Sequence, residues 1–347
     1  MPINPEMLVL ARESRGMTQS ELSKITEINQ STLSKYENGM LEVSPDVLTI
    51  ISDALNYPES MFTRSQSILG FGSACMYHRK RQTLSVSHLK RIQAKINLMR
   101  IHVERLLISA EIETPFDFPV FDVQDSGNPE DIAELVRQAW SLPIGPIKNL
   151  VKTIESAGGI VIPFSFGVRK LDAISQWPRN MPPLFFINEE MPWDRIRFSL
   201  AHEIGHLVMH RKPTPEQESE ADRFASAFLM PEQDIKVDLM GIDLVRAADL
   251  KPYWRTSMQA LIRRAYDIGQ ISEHQYRRLF TEISKNGYRI NEPYPISKEE
   301  PSVLNSLIKV HLHDHHYTLS ELGHLLDLHE SELKSQYLND VKGPILL

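Results

Sequence analysis

His202 and His206 stand four residues apart and enclose Glu203. Apolar residues Ile196, Leu200, Ile204, Leu207 and Val208 continue on both sides at helical spacing, which puts the motif on a mostly buried helix. At i and i+4 the two imidazoles leave one face of that helix, close enough to bind one Zn²⁺ together. Glu203 lies one residue on, so its carboxylate reaches a water at such a metal without being a ligand. That is the general-base position of a zinc hydrolase. Gly205 leaves room for a close neighbour.

The third ligand separates the types of such sites. Gly at 209 and His at 212 would give a three-histidine set, and Met209 and Lys212 exclude it. His210, one turn beyond His206, is within reach in principle. Three turns in line curve away from a tetrahedral site, which favours a supporting or surface role for it. Downstream, QESEADRFASAFLM puts Glu220, Phe224, Ala227 and Phe228 on one helical face. A carboxylate beside two Phe rings is paired, protonated or on a metal. Glu218, about 200° around the same helix, is expected to face solvent. A His, His, Glu set with an open fourth position is the layout of a catalytic rather than a structural zinc.

These residues need elements that hold them. Helices are expected at about 130–141 and 146–157, stopped by Gly158-Gly159. GIVIPF (159–164), KLDAISQW and PLFFIN (183–188) read as strands of a small sheet. PLFFIN, just before the motif helix, is a candidate to pair with an extended substrate segment. After the motif, residues 240–290 read as two amphipathic helices divided near Gly269. The fold class expected is α+β multidomain: a helical N-terminal bundle, a linking helix, a zincin-like domain with a small sheet, and a helical C-terminal unit.

Composition bounds the rest. A chain of 347 residues suggests two or three domains. With 41% hydrophobic and 24% charged residues it is neither disordered nor collagen-like. The net charge of −7 argues against a uniformly basic nucleic-acid-coating protein. Cys75 is the single cysteine, so no disulfide closes within the chain and no Cys-rich zinc module exists. No targeting signal is seen, and no run approaches the ~18 apolar residues of a membrane helix. The expectation is a cytoplasmic protein with no membrane partner.

Residues 1–65 read as short helices. Thr18 and Glu21 form a capping-box pattern, Asn29 is placed to cap the next helix, Asn38-Gly39 ends it, and Ser44-Pro45 opens a fourth. Two short helices across a tight turn are also the helix-turn-helix layout. The second helix presents Gln30, Ser31, Thr32, Ser34 and Lys35, groups suited to base edges and phosphates. Acidic residues outnumber basic ones over this stretch. Phosphate contacts supply most non-specific affinity, so one copy should bind weakly, and a homodimer on a two-fold operator is expected.

TQSELSKITEINQSTLSKYENG resembles the XRE (Cro/repressor-like) helix-turn-helix family. The resemblance implies that Gln19, Gln30, Ser31, Thr32, Ser34 and Lys35 face double-stranded DNA. The chain departs from the family at the turn, where Glu27 stands in place of the usual Gly. HEIGH followed by SEADRFASAFLMP resembles the ImmA/IrrE family of zinc metallopeptidases, over roughly 130–290. That resemblance implies His202, His206 and Glu220 as zinc ligands and Glu203 as the base. It also implies an endopeptidase that cleaves a partner XRE-type repressor, or itself, to control stress, mobile-element or defence genes. The alternative is a non-cleaving regulator that senses a ligand or protein, or an antitoxin-like module.

The expected divisions are 1–65 for DNA binding, 66–110 for a linker and helix, 111–290 for the peptidase, and 291–347 for a helical unit. The helix at about 79–105 carries many cations, including Lys90, Arg91, Lys95, Arg100 and Arg105, and is read as a connecting helix with a solvated basic face. Such a face would also suit DNA. Cys75, beside cations in the linker, is a candidate thiolate latch on a zinc's open position, though a plain small residue in a turn is the preferred reading. The C-terminal unit holds six histidines, best read as an exposed cluster, and TLSELGHLLDLHESEL faintly resembles a second helix-turn-helix.

Overall fold

A computed structural model describes residues 3–66, 68–70, 85–121, 123, 127–169, 171–210, 212 and 214–338. They form two compact units in an α+β multidomain arrangement. One unit joins the N-terminal segment, through Glu111, to the chain after Val303. The other runs from Ile112 to Ser302. Cys75 and the cations Arg79, Lys80 and Arg81 lie outside the described residues.

The first unit opens with α1 (Pro5–Ser14), capped by the Asn4 side chain. α2 (Gln19–Thr26) carries the expected capping box between Thr18 and Glu21. Glu27 turns the chain in the left-handed region at φ 58°, which costs a residue with a Cβ about 1 kcal/mol. α3 (Gln30–Glu37) follows. Asn29 holds its N-cap position but makes no side-chain bond to the helix, contrary to expectation. α4 (Pro45–Leu55) starts on Ser44 and Pro45 as read from the sequence, and a 3-10 turn, Glu59–Thr63, closes the bundle. Leu8, Leu22, Leu33, Ile51 and Phe62 fill its core.

α5 (Val86–Leu106) exposes Lys90 and Arg91 near its start, but its second half is not the solvated basic face expected. Ile92, Ile96, Ile101 and Leu106 are buried, and so are Arg100 and Arg105. The cations find internal partners: Arg100 meets Glu104, Arg105 meets Asp327, and Lys90 meets Glu13 at 3.0 Å. Apolar spacing located the helix, but charge alone did not reveal that other elements cover it.

The second unit begins with α6 (Pro129–Ala139) and α7 (Leu150–Ser156), then β1 (Ile160–Phe164), β2 (Ala173–Gln176) and β3 (Leu184–Asn188). β3 is central, parallel to β1 (Ile160 opposite Leu184) and antiparallel to β2 (Ile174 opposite Phe186). PLFFIN therefore has both edges occupied and cannot take a substrate strand. All five β3 residues are buried, as a strand covered on both faces requires. The edge beside the site belongs to β2.

α8 (Trp193–Met209) carries the two histidines, and α9 (Gln217–Leu229) packs along it. α10 (Glu232–Ile235), α11 (Leu244–Trp254), α12 (Met258–Asp267) and α13 (Glu273–Lys285) complete the unit, with Gly269 at φ 71° between the last two. Val161, Phe185, Leu200, Ile204, Phe228 and Leu261 share one core. Arg197, fully buried on α8, pairs with Glu299. Lys251 bridges Asp194 at 2.6 Å and Glu292 at 2.9 Å. These partners place 291–302 in this unit, so the boundary expected at 290 falls at 302.

The chain then returns to the first unit as α14 (Val303–Lys309), α15 (Leu319–Leu326) and α16 (Glu330–Leu333), the last continuing helically to Leu338. The C-terminal segment is thus part of the N-terminal unit rather than a unit of its own. Within its histidine cluster, His311 is buried and satisfied by Ser109 Oγ at 3.0 Å and the Leu307 carbonyl at 2.8 Å.

His102 on α5 lies fully inside this unit, with Nδ1 2.6 Å from the Tyr337 hydroxyl. Burial, with Arg105 adding to it and Asp327 opposing, lowers its pKa to about 3. The unfolded imidazole titrates near 6.5. Between those values the unfolded chain binds one more proton, so stability is lost as pH falls below 6.5, by about 2 kcal/mol at pH 5. His102→Gln cannot titrate there and should lose about that much less between pH 7 and 5 in urea midpoints. Equal losses in both proteins would refute the assignment.

Candidate metal centre

α8 buries Ile196, Leu200, Ile204 and Val208, and this fixes which way its histidines point. His202 Nε2 and His206 Nε2 lie 3.0 Å apart. Glu218 completes the group, with one oxygen 3.6 Å from His202 Nε2 and the other 3.5 Å from His206 Nε2. Ligand atoms around a tetrahedral zinc with bonds of about 2.0–2.1 Å stand about 3.3 Å apart. The three groups converge as such a site requires, and two imidazoles with a carboxylate are a donor set zinc accepts.

The carboxylate in this group is Glu218, not Glu220 as expected. Glu220 turns to His210, with Oε2 3.0 Å from Nε2. The face argument identified a real need, since a carboxylate near Phe224 wants a partner, and the partner the structure gives Glu220 is His210. Glu218, Ala221, Asp222 and Ala225 share a different face of α9 by helical spacing. Glu218 and Asp222, four residues apart with small residues between and beyond, were the available signal.

Both histidines are held from behind. Asp222 Oδ1 lies 2.8 Å from His202 Nδ1, and His210 Nδ1 lies 3.0 Å from His206 Nδ1. Glu220, His210 and His206 thus form a chain. Partners of this kind set ring orientation and tautomer in metal sites. They also shape the metal-free electrostatics. Burial works to lower the His202 pKa, but the hydrogen bonds it donates to Asp222 and Glu218, with Glu203 nearby, push it up to about 10. Gly205 makes the close approach expected, although to a ring: a Cβ there would lie 3.0 Å from Phe224 Cδ1.

Glu203 is buried beside the pair. Its Oε2 accepts from the Ser175 backbone N–H at 2.9 Å and from the Ser175 hydroxyl at 2.5 Å. Ser175 lies on β2, so the sheet edge positions the carboxylate. No motif in the sequence signals that contact.

The residues expected at DNA divide. Gln30, Ser31 and Lys35 are exposed along α3, while Thr32 and Ser34 are half-buried. Gln19 is half-buried, and its amide donates to Glu37 Oε2 at 2.8 Å. Glu37 in turn is held by Arg12.

A helix with two histidines and an intervening glutamate, set against a small mixed sheet and a second helix with a carboxylate, is a metallopeptidase-like arrangement. Residues 154–266, which include His202, Glu203, His206 and Glu218, match the IrrE N-terminal-like domain family. Residues 8–62 match the helix-turn-helix family. The chain therefore carries a DNA-binding helix-turn-helix domain followed by an IrrE N-terminal-like domain. No curated protein matches it. No helix among the described residues is long and apolar enough to cross a membrane.

The two glutamates can be told apart by metal content. Glu218→Ala should retain no stoichiometric zinc after dialysis, whereas Glu220→Gln should retain it. The opposite pattern would return the ligand role to Glu220.

Proposed function

We propose that this protein is a zinc-dependent endopeptidase joined to a DNA-binding regulator. In this reading it cleaves a partner XRE-type repressor, or itself, to control stress, mobile-element or defence genes. The observation that carries the reading is the convergence of His202, His206 and Glu218 beside a buried Glu203 that is not one of the three. A structural metal site has no use for that fourth group.

His202, His206 and Glu218 would hold the zinc. A zinc there would polarise a peptide carbonyl and acidify the attacking water. Glu203 is placed to take a proton from an attacking water and to give one to the leaving amine. Ser175 keeps the Glu203 carboxylate turned to the site. Its N–H points at Glu203 and not at β3, so the edge of β2 away from β3 runs beside Glu203. An extended segment added to that edge would bring its carbonyls past the metal. In the helix-turn-helix domain, Gln30, Ser31 and Lys35, with Thr32 and Ser34, are the groups proposed to meet operator DNA.

Glu203→Gln should keep zinc and lose at least about a hundredfold in cleavage rate. The assay is wild type and variant incubated with XRE-type repressors encoded by adjacent genes, with and without chelator. Cleavage by Glu203→Gln at the wild-type rate would sink the mechanism.

A further inference from the structure

The segment 318–337 repeats the segment 18–37 at a constant offset of 300 positions. Thr318, Ser320, Glu321, Leu322, Ser331 and Leu333 match the residues at 18, 20, 21, 22, 31 and 33. The geometry repeats with them. Each Thr opens its helix with a capping box to the Glu three residues on. Each helix ends on an acidic residue in the left-handed region, Glu27 at φ 58° and Asp327 at φ 52°. A second helix then starts at Gln30 and at Glu330. Inside the turn, Ser23 Oγ donates to the Ile28 carbonyl at 2.6 Å. Gly323 lies so close to the matching Leu328 carbonyl that a Cβ would meet its oxygen at 2.7 Å.

We infer that residues 318–338 are a second helix-turn-helix, and that it serves the first as an internal partner in place of a second chain. The exposed groups of this copy do not suit DNA. Glu330 stands where the first copy has Gln30, and a phosphate backbone repels it. Glu332 replaces Thr32 and accepts both Arg15 Nη groups, at 2.7 and 2.8 Å. Asp327 accepts from Arg64 Nη2 at 2.9 Å and from Ser60 Oγ at 2.7 Å, and also pairs with Arg105. The contacts fall on the end of α1, on the 3-10 turn and on α5. Gln30, Ser31 and Lys35 of the first copy stay exposed.

Helix-turn-helix modules commonly pair across a two-fold axis. Here a module of the same build arrives from the far end of the same chain, and its acids match the cations of the first. The homodimer expected from the weak local charge then becomes unnecessary. The statement about DNA rests on the first motif being the DNA reader; the internal pairing does not.

The test is the mass of the full-length chain by light scattering, alone and with a short mixed-sequence duplex at low salt. It is joined to hydrogen exchange at Leu322, Leu326 and Leu333 in wild type, Arg15→Gln, Glu332→Gln and the double variant. One chain in solution and one per duplex are expected. Each single variant should lose about tenfold in protection, and the double variant little more, as coupled partners do. A dimeric free chain, two chains per duplex, or losses that add in the double variant would overturn the inference. If no duplex binds, the DNA reading of the first motif fails, and the free-chain mass and the exchange cycle still decide the pairing.

Discussion

The metal centre depends on where α8 lies, and buried charge near its N-terminal end determines that. Arg197 has no contact with solvent and reaches Glu299, the Ile147 carbonyl at 2.7 Å and the Arg255 carbonyl at 2.9 Å. Glu299 also accepts the Val151 N–H at 2.9 Å. Asp194, one turn earlier, is locked through Lys251 to Glu292. Taking such ions from water costs several kcal/mol each, and the pairing roughly offsets it. The net gain in stability is small. What the pairs impose is direction, because a guanidinium with all these partners accepts one rotation of its helix. His202 and His206, five and nine residues further on, inherit that rotation.

The same logic continues along α9. Phe224 seats against Gly205, and this close contact sets the spacing between the two helices. Glu218 and Asp222 then reach the histidines from one face while Glu220 reaches His210 from another. Among the described residues no loop supplies a donor to this group, so the geometry is carried by packed helices and one strand. Sites built on such elements hold their geometry more tightly than sites on loops. Glu203 is fixed in the same way, by Ser175 on a strand whose partner β3 is wholly buried.

Much of this was legible from spacing. The histidine pair, the helix that bears it, the three strands and the caps at Thr18 and Ser44 all follow from local patterns, and the structure has each of them; the cap expected at Asn29 is the exception. What the sequence hid is what depends on a neighbour. Arg100 and Arg105 look like a solvated face until other elements cover α5. Glu220 and Glu218 are two residues apart, and only the placement of α9 against α8 says which one meets the histidines. PLFFIN looks like a strand free to pair, but its apolar residues draw β1 and β2 to its two edges. Ser175 carries no motif at all. The partition of the chain was hidden for the same reason, since the pairs that bind 303–338 to the first unit join residues more than two hundred positions apart.

That partition bears on how a peptidase of this kind can act. The chain leaves the DNA-binding unit after Glu111 and re-enters it at Val303, so the metal centre lies in an insertion held by two connections. One cut in either connection leaves the other intact. The pieces of the DNA-binding unit also remain joined by Arg15–Glu332, Arg64–Asp327 and Arg105–Asp327, two of them centred on a carboxylate that is almost wholly buried. Self-cleavage at one connection therefore releases nothing by itself. A cut in a separate repressor has no such restraint, because each half of that protein is free to diffuse away. Under the proposed peptidase reading, this topology favours a substrate in trans over self-cleavage at either connection.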